Sequence, residues 1–294
     1  MKKYYLLPLF LLFLTISFSQ KKKNTNDGLK SSDLSGLKFR SVGPAFMSGR
    51  IADIAINPEN ENEWYVAVGS GGVWKTVNSG TTWKAITDDQ DFYSTGCITI
   101  DPHNSSKIWL GTGENVGGRH VGIGHGVFVS DNGGKNWKSM GLKSSEHISK
   151  IIVSPKDPNI VFVASQGPLW SSGGERGLYR TDNGGKTWKN VLSVNEWTGV
   201  TDIAIDHNNP NILYAATWQR HRNVASYMGG GPGTSIYKST DHGITWTEIK
   251  NGLPSSNLGK IGLAISPFDS SILYAAVETD RRNGAVYKTT NSGG

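Results

Sequence analysis

The sequence predicts an all-β chain folded as a β-propeller of four-stranded antiparallel blades, with four blades complete and most of a fifth present. Three observations predict it. A motif of the form Ser/Thr-x-Asn/Asp-x-Gly-x-x-Trp is written at Thr76–Trp83, Ser130–Trp137, Thr181–Trp188 and Ser239–Trp246, and Thr289–Gly294 begins it again. The Trp-to-Trp intervals are 54, 51 and 58 residues, a near-constant spacing of the kind that propeller blades produce. Within each interval apolar residues alternate with period 2 and turn residues recur every ~8–12 positions, which excludes a helical solenoid. A stacked sandwich accounts for the alternation but not for the period.

The first residues stand apart from this pattern. Lys2-Lys3, the apolar run Tyr4–Phe18 and the small residues Ser17 and Ser19 before Gln20 have the form of a secretory signal peptide over residues 1–19. Cleavage is expected after Ser19, with a secreted or periplasmic destination. The run is too short for a good membrane span, so no transmembrane segment is expected after its removal. Residues 20–36 are mostly Lys, Asn, Ser, Asp and Gly and read as a flexible tether, which leaves residues 37–294 for the propeller. The formal net charge is +6, but Lys2, Lys3 and Lys21 to Lys23 supply five of those charges, so the folded body is nearly neutral. That argues against a nucleic-acid partner, which needs cations clustered on one face. The one cysteine, Cys97, lies in an apolar strand pattern and reads as a small core residue.

Each repeat has the same grammar. After an opening strand-like stretch, Leu37–Pro44, the inner-strand candidates are Ile51–Ile56, Gly96–Ile100, Ile148–Val153, Val200–Ile205 and Ile261–Ile265. Each is closed by a Pro/Asn/Asp turn such as Asn57-Pro58 or Asp101-Pro102. β-Branched and aromatic second strands follow, as in Trp64–Val68, Ile160–Ala164 and Ile212–Ala216. A loop, a third strand such as Val127–Val129, the motif hairpin and a fourth strand from the Trp complete the unit. The motif itself reads as scaffold: Asn78, Asn132, Asn183 and Asp241 hydrogen-bond backbone amides, Gly80, Gly134, Gly185 and Gly243 supply positive φ, and Trp83, Trp137, Trp188 and Trp246 pack against the hairpin. Three of these four Asx residues are neutral Asn, so a metal role for the motif is disfavoured and no cofactor is expected. Because the chain stops inside a fifth motif, it reads as the N-terminal part of a longer protein, with an open edge that would make it hard to keep soluble alone.

These motifs match the Asp-box, or BNR, repeat. With Phe39–Pro44, Ser48–Ile51, Val68–Thr76 and Gly111–Glu114, the stretch from about Phe39 to Gly294 resembles the secreted bacterial propellers grouped with the sortilin/VPS10 N-terminal domain. These are labelled glycosyl hydrolase and are similar to photosystem II assembly-factor and xyloglucanase propellers. In the xyloglucan-hydrolysing propellers the resemblance places one catalytic Asp just before the Gly-Gly after the second strand of the first blade. Here Ser70 stands there, before Gly71-Gly72. A hydroxyl cannot serve as that acid or base near neutral pH. A sialidase-like reading makes Arg40 and Arg50 candidates for a substrate carboxylate.

Repeat geometry brings equivalent loops to one face, so the long loops between second and third strands are the candidate site. They run Gly111–Gly126, Ser165–Gly177, Thr217–Ser235 and Glu278–Gly284. They carry Glu114, Arg119, His120 and His125, then Trp170, Glu175 and Arg176, then Trp218, Arg220, His221, Arg222 and Tyr227, then Glu278 and Asp280–Arg282. Such a rim suits a polar ligand held by stacking and bidentate hydrogen bonds, with Trp218 and Trp170 expected to be exposed. The expected partner is a protein or a glycan. The reading from sequence is an exported binding or assembly module, with a glycoside hydrolase using carboxylates partly outside this chain as the alternative. Intact mass of the exported protein should show a chain beginning at Gln20, and recovery of Met1 would rule the leader out.

Overall fold

The computed structural model describes residues 30–37, 49–279 and 284–294. The chain divides into two compact units, Met1–Met47 and Ser48–Gly294. In the first, the described residues form a single 3₁₀ turn, Ser31–Leu34, within the segment read as a tether. Leader, Phe39–Pro44 and Asp280–Arg282 lie outside the described residues. No described helix is long and apolar enough to cross a membrane.

The second unit is all-β and propeller-like. Blade one is β1 (Ile51–Ile56), β2 (Trp64–Val68), β3 (Gly72–Thr76) and β4 (Lys84–Ala85). Blade two is β5 (Thr95–Asp101), β6 (Asn104–Thr112), β7 (Val127–Ser130) and β8 (Lys138–Ser139), and blade three is β9 (Ile148–Val153), β10 (Val161–Ser165), β11 (Gly177–Thr181) and β12 (Lys189–Leu192). Blade four begins with β13 (Thr198–Ile205) and β14 (Leu213–Gln219), then interposes a small hairpin, β15 (His221–Arg222) and β16 (Tyr227–Met228). It closes with β17 (Ile236–Ser239) and β18 (Thr247–Ile249). Blade five is β19 (Leu258–Ile265), β20 (Leu273–Thr279) and β21 (Ala285–Thr289). Every blade is an antiparallel meander in chain order, and each first strand packs against the first strand of the next blade.

The core lies between blades. Tyr65, Ala67, Ile98, Ile108 and Leu110 fill the first interface, Trp109, Ile148, Ile151 and Val163 the second, Phe162, Ile203 and Leu213 the third, and Ala216, Ile261 and Val277 the fourth. Each first strand carries a β-bulge near its start, between Ile51 and Asp53, Thr95 and Cys97, Val200 and Asp202, and Leu258 and Ile261, with the blade-three equivalent opposite Ala164 and Ser165. A bulge re-aims the side chain that follows it. Asp53, Cys97, Lys150 and Asp202 therefore occupy one structural position, paired with Ala67, Gly111, Ala164 and Ala216.

The motif turn sharpens the sequence reading in two ways. The Asx carbonyl or carboxylate oxygen accepts the amide four residues on: Asn78 from Thr82 (2.9 Å), Asn132 from Asn136 (2.9 Å), Asn183 from Thr187 (3.0 Å) and Asp241 from Thr245 (2.9 Å). The leading hydroxyl does the rest, since Thr76 Oγ1 accepts the Gly80 amide (3.0 Å) and donates to Asn78 Oδ1 (2.9 Å). The residue before the Gly is also left-handed, at φ 53° in Ser79 and 61° in His242. Secondly, two of the indoles reach beyond their own hairpin. Trp188 Nε1 donates to Met140 O (2.7 Å) in blade two and meets Trp109 edge-on, while Trp137 Nε1 donates to Ile86 O (3.4 Å) in blade one. The motif thus ties blades together as well as closing a turn. Trp188→Ala should lower stability by about 3 kcal/mol, the low end of large aromatic truncations. Trp83, 40% exposed and tilted against Trp64 of its own blade, should cost clearly less, and urea midpoints of the two variants check the order.

Candidate functional site

One backbone segment organises the loop-bearing face. Asn115 O accepts from Lys260 Nζ (2.6 Å) and Gln166 Nε2 (3.3 Å), Val116 O from Arg220 (2.9 Å) and Gly117 O from Arg222 (3.0 Å). Side chains of blades three, four and five therefore converge on three carbonyls of the blade-two loop. They fix it over the first strands.

Glu114 immediately precedes this hub and is buried. Its Oε1 accepts from Arg50 Nη2 (2.5 Å) and Ser70 Oγ (3.0 Å), and its Oε2 accepts the Gly122 amide (2.9 Å). A Cβ added at Gly69 would come within 2.6 Å of Glu114 Oε1. The carboxylate from blade two thus fills the space in front of the 69–72 turn, where this chain has Gly and Ser. Sequence spacing could not bring Glu114 and Ser70 together, since the contact spans two blades.

The expected aromatic and cationic rim is only partly a surface. Trp218 belongs to β14, paired with Gly199, and is 3% exposed, with Nε1 donating to Gly229 O (2.8 Å) and Arg220 and Lys260 over its ring. The expectation that it is an exposed stacking residue is overturned, because the strand runs on into what the sequence presents as loop. Arg176 and Arg220 are also buried. Arg176 donates to the carbonyls of Gln166 (2.9 Å), Gly173 (2.8 Å), Ser171 (2.7 Å) and Pro168, and Arg220 to Val116 and Gly167 (3.0 Å). Both hold loops by their carbonyls. Burial pushes Arg220 down to about 9 and Arg176 down to about 10. Glu175 accepts from Ser144 N (2.8 Å), and His221 meets Trp197 edge-on at 4.3 Å. Arg119 and His120 are exposed, as are Trp170 at 47% and Tyr227 at 40%, the last beneath the Arg222 guanidinium.

The sequence reading passed over the first strands, which also present chemistry. Asp53, Lys150, Asp202 and Lys260 line a cavity of about 690 Å³ that opens beneath Asn115. The signal was visible: a charged residue interrupts the apolar alternation two places after Ile51, Ile148 and Val200. Burial raises the Asp202 carboxyl and lowers the Lys260 ammonium from their ordinary values.

A BNR/Asp-box repeat profile matches residues 237–248, the fourth motif. The chain is 28% identical over 258 residues to a xyloglucanase of Hypocrea jecorina, covering 75% of this chain and 28% of that protein. Against Xyloglucanase Xgh74A of Acetivibrio thermocellus it is 24% identical over 261 residues, again 75% of this chain and 28% of the relative. Its fold is that of the GH74 enzymes. The Niastella koreensis GH74 structure superposes with a TM-score of 0.64 at 19% identity over 83% of this chain and 37% of its own. The Xanthomonas campestris GH74 xyloglucanase gives 0.62 at 16% identity over the same shares. This chain therefore spans under a third of the curated relatives it matches.

Under the hub lies His147, buried and pushed down to about 3 by that burial and then by the Arg220 charge. In the unfolded chain its imidazole titrates near about 6.5, so the unfolded state takes up the proton first and acid lowers stability across that window. Between about pH 6.5 and about pH 5 this group alone should remove about 2 kcal/mol. Urea unfolding at the two pH values should show a smaller loss in His147→Gln than in the unaltered chain.

Proposed function

We propose that this chain is the carbohydrate-facing propeller of a glycoside hydrolase acting on xyloglucan or a related β-glucan. The similarity to xyloglucanases over three quarters of the chain carries this reading. Hydrolysis of a glycosidic bond uses two carboxylates flanking it. Glu114 is the one this chain brings to the 69–72 turn, oriented by Arg50, Ser70 and the Gly122 amide. The partner carboxylate comes from outside this chain. Arg119, His120, Trp170, His221, Arg222 and Tyr227 border the same face and suit recognition of sugar hydroxyls and ring faces. Export on the leader of residues 1–19 fits an extracellular polysaccharide.

A specific observation favours a second reading, binding without hydrolysis. All three contacts of Glu114 are internal and Ser70 replaces the acid expected from the resemblance. The complete protein assayed on xyloglucan and on mixed-linkage β-glucan separates the two. Hydrolysis that falls by about 10²-fold or more in Glu114→Gln with substrate binding retained supports the first reading. Full activity in that variant removes Glu114 from the chemistry. Binding with no turnover of either glucan establishes the second.

A further inference from the structure

The first strands, joined on the loop side by β20 and β21, line two open cavities of about 690 Å³ each, and the side chains common to both walls are Lys150 and Asp202. The loop-side cavity also presents Asp53, Asn115, Lys260 and Glu278. Its size falls within the about 300–1,000 Å³ of small-molecule sites.

The hydrogen bonds of its charged groups decide what it would take. Asp53 accepts the amides of Ile54 (2.9 Å) and, in the next blade, Ile98 (3.1 Å). Asp202 does the same with Ile203 (2.9 Å) and Leu263 (2.7 Å), and Glu278 accepts the Lys260 amide (3.1 Å). Lys260 Nζ is spent on Asn115 O. Lys150 differs from all of these: among the described residues no hydrogen bond or close ion pair holds its ammonium, which the Asp202 charge attracts from a distance, and it sits at the junction of both cavities. Among the described residues, three carboxylates against two ammoniums leave the wall net negative, which disfavours an anion. The carboxylates are held apart on separate blades by backbone amides, so they do not gather around a cation. An apolar ligand would strand the Lys150 ammonium and the unused carboxylate lone pairs without water.

We propose that this cavity is a second carbohydrate site, taking a neutral mono- or oligosaccharide. Lys150 donates to a sugar oxygen, and the unused lone pairs of Asp53, Asp202 and Glu278 accept from hydroxyls, each ionised carboxylate having capacity beyond the amides it already holds. The bulge explains why the anchor is here, since it turns the residue at this position of each first strand. The inference rests on the reading of the chain as directed to polysaccharide, but its residues are separate from Glu114.

Saturation-transfer NMR and calorimetry on the complete protein, with D-xylose, D-glucose and a xyloglucan-derived oligosaccharide as probes, test it. Lys150→Met should weaken sugar binding by about tenfold, the loss of one charge-assisted hydrogen bond, while Lys150→Arg retains it. Glu114→Gln should bind the small sugars as the unaltered protein does, even where it no longer hydrolyses polymer. Sugar binding sensitive to Lys150 in a protein that hydrolyses nothing would leave this site standing and remove the hydrolase reading. Absence of binding by all three probes, or equal binding in Lys150→Met with an unchanged urea midpoint, would overturn it.

Discussion

The interaction on which the rest depends is the hydroxyl-to-amide contact at the start of each motif turn. Thr76, Ser130, Thr181 and Ser239 each take the amide of the motif Gly, at 2.9 to 3.0 Å, and each donates to the Asx oxygen beside it. Those bonds satisfy buried polar groups that would otherwise oppose a tight reversal between the third and fourth strands. They also set where the Trp emerges. In Trp137 and Trp188 that place is against the preceding blade, so a local turn becomes a long-range contact.

This is why the fold was legible in the sequence. A turn defined by hydroxyl, Asx, Gly and Trp is a local object, and its recurrence gives the blade count and strand order without knowledge of any distant contact. The candidate site was legible only in part. Glu114 was singled out from its loop, but its pairing with Arg50 and Ser70 crosses blades, and nothing in the spacing reports it. Trp218 was misread because the second strand continues through Thr217 and Gln219, past the point where the sequence pattern ends it, while the Gly-rich run after it suggests loop. Arg176 and Arg220 look like ligand-binding arginines by composition. Only their carbonyl partners show that they brace the loops.

The two regions that bear chemistry differ in construction. On the loop face, charge is absorbed internally: buried guanidiniums end on carbonyls, and the Glu114 carboxylate ends on Arg50, Ser70 and a backbone amide. Along the first strands, acids are absorbed by amides of the neighbouring blade and one ammonium is left over. The first arrangement favours rigidity around exposed residues such as Trp170 and Tyr227. The second leaves hydrogen-bonding capacity facing a cavity.

The Asn115–Gly117 carbonyls join these two regions. Glu114 lies one residue before them and Lys260, in the cavity wall, ends on the first of them. On the proposed reading, a polymer that drew the Glu114 backbone toward the loop face would also move the acceptor of Lys260, and a cavity occupant that recruited Lys260 would release that carbonyl. Such a displacement would link the two regions, and linkage is reciprocal: whatever factor one ligand imposed on the affinity of the other would be returned. A short stretch of main chain would then let the end of a sugar chain held inside the propeller regulate how tightly the rest is gripped outside it.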